Sequence, residues 1–361
     1  MYISHLLIQN VRGIEALDLA LNDDWHGDSP EAVLFVGPNG SGKTTLLNAI
    51  AQLWQVLGEF IQIETKISTS NLALTLFPFL GDGGASIQIS NWLGQTAYVC
   101  AGRYGWVQQA LAEAHTASLA DFYVGIADVA SSSGEYWFAD RAHPPVSWHG
   151  GHDHVASWLR LFADKLLRNT LGKDVDLPNI VYFPSERRYL NVGSYEPKPE
   201  SDAFEWFYTY DAGKVANGGL QNYLFNLKVI DPAAFDRAIT QLNKFWHAKQ
   251  IDGFDPRTRQ LMVKTESGAR HPINDLSSGE KQVLLMLSHI AQRLRPGGIL
   301  IIDEPDLHLH PALSTAFVSH LRRMVKDHSG QLILASHSPD LRQLFASNEL
   351  IYLGERDEVT A

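Results

Sequence analysis

AVLFVGPNGSGKTTLLNAI, residues 32–50, runs an apolar strand through a glycine turn and straight on into a helix. The stretch fits G-x-x-x-x-G-K-S/T with Gly37, Gly42, Lys43 and Thr44. Pro38, Asn39, Gly40 and Ser41 fill the turn, and Thr45 continues the helix. Glycines let successive backbone N–H groups converge on an anion, and the following helix adds the positive end of its dipole. Lys43 is then the expected partner of β- and γ-phosphates, and the Thr44 hydroxyl the expected ligand of Mg²⁺. A strand before and a helix after are the context that this pattern requires.

Two further strands lead to the same chemistry. GGILIIDEPDLHLHP, residues 297–311, places Asp303 and Glu304 at the end of four apolar residues. In a parallel sheet that end is the ligand edge. Asp303 would hold Mg²⁺ there, directly or through water, and Glu304 would orient or deprotonate an attacking water. GQLILASHSPD, residues 330–340, delivers His337 to the same edge, where it is read as a γ-phosphate sensor. A fourth stretch, PINDLSSGEKQ (272–282), carries small N-cap residues and Glu280 just ahead of the helical period of VLLMLSHIAQRL. It is an exposed, anion-friendly helix start.

Composition sets the limits. At 361 residues and 45% hydrophobic the chain can bury one large core or two modest ones. A formal charge of −11 leaves room for nucleic acid only through a local basic patch. The single cysteine, Cys100, excludes an internal disulfide and a multi-cysteine zinc site, which suits a reducing cytosol. No run of about 18 apolar residues marks a membrane span, and MYISHLLIQN lacks the basic start of a signal peptide. A cytoplasmic protein without membrane attachment is expected.

These elements, in this order, resemble the ATPase heads of the ABC type, with LSSGEKQ in the place of their signature. IQNVRGIEALDLAL (8–21) looks like the opening hairpin of the SMC, RecF and overcoming-lysogenisation-defect groups. DEPDLHLHP and ASHSPDL look most like the last of these and its stand-alone ATPase relatives. The resemblance implies an α/β P-loop fold with a mixed central sheet flanked by helices, an antiparallel insertion and a helical subdomain. It also implies ATP and Mg²⁺ as ligands and a head-to-tail homodimer or higher assembly. Ser277, Ser278, Gly279 and Glu280 of one subunit would then cap, in trans, the phosphate held by Lys43, Thr44, Asp303, Glu304 and His337 of the other. Arg12 falls where some relatives reach nucleotide from the hairpin, and a plain surface arginine is an equal reading. The family's glutamine loop is missing: after NIVYF comes PSERRYL, with Ser185 and Glu186 in its place.

The chain then divides, by expectation, into an N-terminal lobe (1–54), a β/α insertion (55–179), a strand with helical lever and hairpin (180–270), and a C-terminal lobe (271–361). ASIQISNW, TAYVCAG and DFYVGIADV read as antiparallel strands, and HVASWLRLFADKLLRNTL (154–171) as a helix. HGGHDH (149–154) reads as a solvated loop rather than a metal site, and the aromatics of FEWFYTY as packing rather than base stacking. DPAAFDRAITQLNKFW reads as a capped helix, and LMVKTESGARHPI as a hairpin. Sustained heptads are lacking, and the stretch after His337 is expected to hold one helix and one strand without a nuclease domain.

Relatives of this architecture commonly serve bacterial anti-phage systems, paired with a nuclease or toxin. A nucleotide-gated dimer controlling such an effector is therefore the leading expectation. A RecF-like repair ATPase that binds DNA is the alternative, and a transporter's nucleotide-binding subunit a weaker one.

Overall fold

A computed structural model of the chain describes residues 1–21, 29–63, 73–92, 94–128, 137–138, 177–186, 206–210, 219–246 and 248–354. The HGGHDH stretch, the helix expected over 154–171 and the two arginines of PSERRYL lie outside these residues. Along the chain come β1 (Tyr2–Val11), β2 (Ile14–Ala20), β3 (Ala32–Val36), α1 (Lys43–Ile63), α2 (Ala73–Leu80), β4 (Gly84–Trp92) and β5 (Gln95–Arg103). Then follow α3 (Tyr104–Thr116), β6 (Phe122–Asp128), β7 (Trp137–Phe138), β8 (Ile180–Phe183), β9 (Phe207–Thr209), α4 (Gly219–Ile230) and α5 (Pro232–Phe245). The last part holds β10 (Lys249–Phe254), β11 (Leu261–Thr265), β12 (Arg270–Pro272), α6 (Ser278–Arg293), β13 (Ile299–Asp303), α7 (Pro311–Asp327), β14 (Gln331–Ser336), α8 (Pro339–Arg342) and β15 (Leu350–Tyr352).

Six strands form a parallel sheet in the order β15-β3-β14-β13-β8-β9. AVLFV, ILIID, QLILAS and IVYF are buried at every position. That is what a sheet covered on both faces demands of its strands. Alternate residues serve two cores. Val33, Phe35, Ile301 and Ile333 pack with α1 and the second sheet, while Leu34, Val36, Ile302 and Leu334 pack with α4 to α7. The register pairs Val36 with Ser336, Ala335 with Asp303, and Ile302 with Phe183. The chain therefore leaves all four strands at one edge, which becomes the site.

The second sheet runs β2-β1-β4-β5-β6-β7. It is the mixed one, since the sheet that carries the phosphate loop is parallel throughout. The strands expected to be antiparallel are so only in part: β5 and β6 pair in parallel. The reason is α3, which carries the chain back across the sheet, as a parallel link requires. Its buried residues Val107, Ala110, Leu111 and Ala114 keep helical spacing. Pairing of β1 with β4 joins strands from segments 1–54 and 55–179 in one sheet.

Helix α1 lies between the sheets, with Leu46, Ile50, Leu53, Trp54 and Leu57 buried. Trp54 and Trp206 stack at 4.0 Å, and each indole N–H donates to the other's carbonyl, at 2.9 and 2.8 Å. Trp206 and Tyr210 of FEWFYTY are thus core residues. The sheets are also stitched by buried Gln331, whose Oε1 accepts from Ile3 N at 2.8 Å while Nε2 donates to Ile3 O and Pro30 O. On the far side, α5 is capped by Asp231, which accepts from Ala234 N, and buries Phe235, Ala238 and Leu242. A third sheet, β10-β11-β12, leads into α6. No helix among the described residues is long and apolar enough to cross a membrane.

Candidate active site

The phosphate loop leaves β3 at buried Gly37, and Pro38 to Gly42 form the turn. Gly40 and Gly42 take φ of +85° and +92°, a region open to glycine without a Cβ penalty. Gly42 has a second constraint, since a Cβ there would sit 2.9 Å from Ile14 Cδ1. The tip of the β1–β2 hairpin thus abuts the loop. Arg12, two residues away, has φ of +46° and lays its guanidinium 4.8 Å from the centroid of the Phe79 ring.

Lys43 is 5% exposed, and its Nζ donates to Gly37 O at 2.8 Å and Pro38 O at 2.9 Å. Ser41 Oγ is buried without a partner among the described residues. A buried ammonium over a glycine cradle, with a spare hydroxyl beside it, fits a bound phosphate. Asn39, Gly40 and Thr44 are exposed, and Thr45 is half-buried at the helix start.

Thr44 Oγ1 donates to Asp303 Oδ2 at 2.7 Å across 259 residues of chain. Asp303 is fully buried at the end of β13. A hydroxyl and a carboxylate side by side are hard oxygen donors that suit Mg²⁺, which keeps water and phosphate oxygens as its remaining ligands. Among the described residues no group of three or more His, Cys, Asp or Glu is placed to hold a metal alone.

Glu304 departs from the strand with φ of +49°, a conformation that costs a non-glycine residue about 1 kcal/mol. Two backbone bonds fix it: Glu304 N to Ala335 O at 2.8 Å, and Leu307 N to Glu304 O at 3.1 Å. Its Oε2 meets His337 Nδ1 at 2.8 Å, and its Oε1 lies 3.9 Å from Lys43 Nζ. Burial pushes the Glu304 carboxyl above its ordinary value, and Asp306 adds to this. His337 and Lys43 pull the other way without cancelling it. Strain held at a carboxylate of raised basicity suggests a functional group.

His337 itself is held by its neighbours. Ser336 Oγ donates to Asp306 Oδ1 at 2.7 Å and accepts from Ser338 N at 2.9 Å. Sequence reading missed Asp306 and Ser336 as a pair, since 30 residues separate them. Ser185 and Glu186 follow β8 at the same edge, one half-buried and the other exposed. The edge thus gathers Lys43, Thr44, Asp303, Glu304 and His337.

The signature turn is built separately. Ser277 is the N-cap of α6 and closes a capping box with Glu280: Glu280 N donates to Ser277 Oγ at 3.3 Å, and Ser277 N to Glu280 Oε2 at 3.0 Å. Buried Gly279 lies against the turn after β13, where a Cβ would come 3.1 Å from Leu309 Cδ2. Ser278 is exposed. Glu280, half-buried, is engaged within its own chain: its carboxylate bonds to Ser277 and, at 2.6 Å, to Lys249 of β10.

Comparison with known proteins finds a family match and several relatives. The family described as "AAA domain, putative AbiEii toxin, Type IV TA system" matches residues 159–342, just over half of the chain, and a second AAA domain model matches residues 5–78. Septu protein PtuA of Bacillus thuringiensis is 22% identical over 98% of this chain and 76% of its own length. Retron Vc95 probable ATPase of Vibrio cholerae is 34% identical, over 28% of this chain and 22% of its own. The SMC head domain from Thermotoga maritima aligns over 95% of this chain and 92% of its own at 14% identity, with a TM-score of 0.45. The chain belongs to the AAA domain family and is similar to Septu protein PtuA and to a retron probable ATPase.

Proposed function

We propose that the protein binds and hydrolyses ATP as a head-to-tail homodimer whose nucleotide state controls a separate effector, a nuclease or toxin, in defence against phage. The observation that carries the catalytic part is the meeting of Lys43, Thr44, Asp303, Glu304 and His337 at one sheet edge. The trans part is supported by exposed Ser278 at the start of a helix whose cap is satisfied by its own side chains. The effector part rests on similarity to the Septu and retron proteins.

In this reading the phosphate loop binds the β- and γ-phosphates through its N–H groups, and Lys43 exchanges its carbonyl partners for phosphate oxygens. Thr44 and Asp303 would hold Mg²⁺, which supplies charge neutralisation on the phosphate oxygens. Glu304 takes a proton from a water whose oxygen bonds to the γ-phosphorus as the bond to the ADP oxygen breaks. ADP and phosphate are the products. His337, hydrogen-bonded to Glu304, orients the carboxylate and sits beside the transferred group. Ser278 and the α6 N-terminus of the second copy exclude water and add donors to the same phosphate.

Replacing Glu304 by Gln removes the base and keeps the shape, so ATP should accumulate in a stable dimer. Hydrolysis by Glu304→Gln at the normal rate would show that Glu304 is not the base. The effector reading is tested by co-purification with the product of the neighbouring gene. Failure to bind it, with and without ATP, would end that part.

A further inference from the structure

Glu280 is the third residue of α6 and places a negative charge beside that helix's N-terminus. The reading above requires the same N-terminus to receive a phosphate, also an anion. Two anions at one helix end repel each other, so the carboxylate needs a counter-charge. Lys249, the first residue of β10, supplies it from outside the helix, with Nζ 2.6 Å from Glu280 Oε1. Trp246 backs the ammonium from 5.7 Å.

The other carboxylate oxygen completes a relay. Glu280 Oε2 accepts from Ser277 N at 3.0 Å and from Ser277 Oγ at 2.9 Å. Ser277 is thereby occupied as donor and acceptor, and Ser278 remains as the outward hydroxyl. Burial alone would raise the Glu280 carboxyl, but the bonds from Lys249 and Ser277 outweigh burial and hold it below its ordinary value. The group is ionised, and Lys249 is its cation.

We propose that Lys249 is a positioning residue for the trans half of the site. It cancels the charge of Glu280 and keeps that side chain locked on Ser277, so the turn can accept a phosphate held by a second copy. This inference rests on the head-to-tail dimer proposed above. As a simple structural ion pair of this exposure, Lys249–Glu280 would matter little and equally with and without nucleotide.

The test uses full-length chains carrying Glu304→Gln and measures, by sedimentation, the concentration of ATP with Mg²⁺ that gives half-maximal dimer. Adding Lys249→Met should raise that concentration about tenfold, the effect of one uncancelled charge near a phosphate, and more at low salt. Lys249→Arg should restore it. Adding Glu280→Gln to Lys249→Met should recover most of the loss, because glutamine keeps the capping-box acceptor and drops the charge. Lys249→Gln runs in parallel should methionine impair folding. If the Glu304→Gln chain stays monomeric at saturating ATP, the dimer reading fails and this inference falls with it. If that chain dimerises but Lys249→Met changes nothing, or Glu280→Gln does not rescue, the role of Lys249 alone is overturned.

Discussion

The phosphate-loop edge and the signature turn are both polar, yet they spend their polar groups differently. At the edge, groups from the start of α1 and from the ends of β13 and β14 meet one another: Thr44 with Asp303, Lys43 near Glu304, Glu304 with His337, and Ser336 with Asp306. At the turn, Ser277 and Glu280 satisfy each other and Lys249, which leaves Ser278 exposed. One region is arranged around its own chain, while the other is finished inwardly and open outwardly. That difference is what a composite site between two copies needs.

The largest expected effect lies at the edge. Glu304→Gln should slow hydrolysis by about a thousandfold, within the range for loss of a general base, as measured by phosphate release. Lys43→Ala should weaken ATP binding by about a hundredfold, since a buried charge-assisted contact is lost, as equilibrium titration would report. A loss of nucleotide binding of similar size in the isolated chain from Ser278→Ala would erase the contrast between the two regions.

Acid should act on the edge earlier than usual. An ordinary glutamate titrates near 4.5, and the Glu304 carboxyl lies above that. Because the base works only when ionised, hydrolysis should fall on acidification from a pH above the usual carboxylate range, as a pH–rate profile would reveal. The signature helix carries an acid-sensitive group of a different kind. Burial, aided by Arg293, lowers the His289 pKa from 6.5 to about 3. Its Nδ1 pairs with the Tyr208 hydroxyl at 2.9 Å. The unfolded chain takes up that proton and the folded chain does not, so stability should decline as pH falls from 6.5 toward 3. His289→Gln should flatten this part of the stability–pH curve. The smallest effect is expected at Ser277→Ala, about 1 kcal/mol of stability for a lost N-cap, readable by denaturant titration.

Much of the candidate site was legible because its parts are short and local. A strand, a glycine turn and a helix name Lys43 and Thr44 within one stretch, and strand ends name Asp303, Glu304 and His337. The parallel pairing of β5 and β6 was missed although Val107, Ala110, Leu111 and Ala114 carry helical spacing, because the short β-branched and aromatic runs on either side read as antiparallel neighbours. The pairing of Glu280 with Lys249 had no local signature, since 31 residues separate the two. The left-handed backbone of Glu304 has no local signature either, since it is imposed by the bonds to Ala335 and Leu307.

The central claim is that each working site takes its phosphate loop from one copy and its signature turn from another. The direct measurement mixes a Ser278→Arg chain with a Lys43→Ala chain, each inactive alone, and follows ATP hydrolysis. The account predicts recovery of about one working site per mixed pair. No recovery from two folded variants that still associate would contradict it.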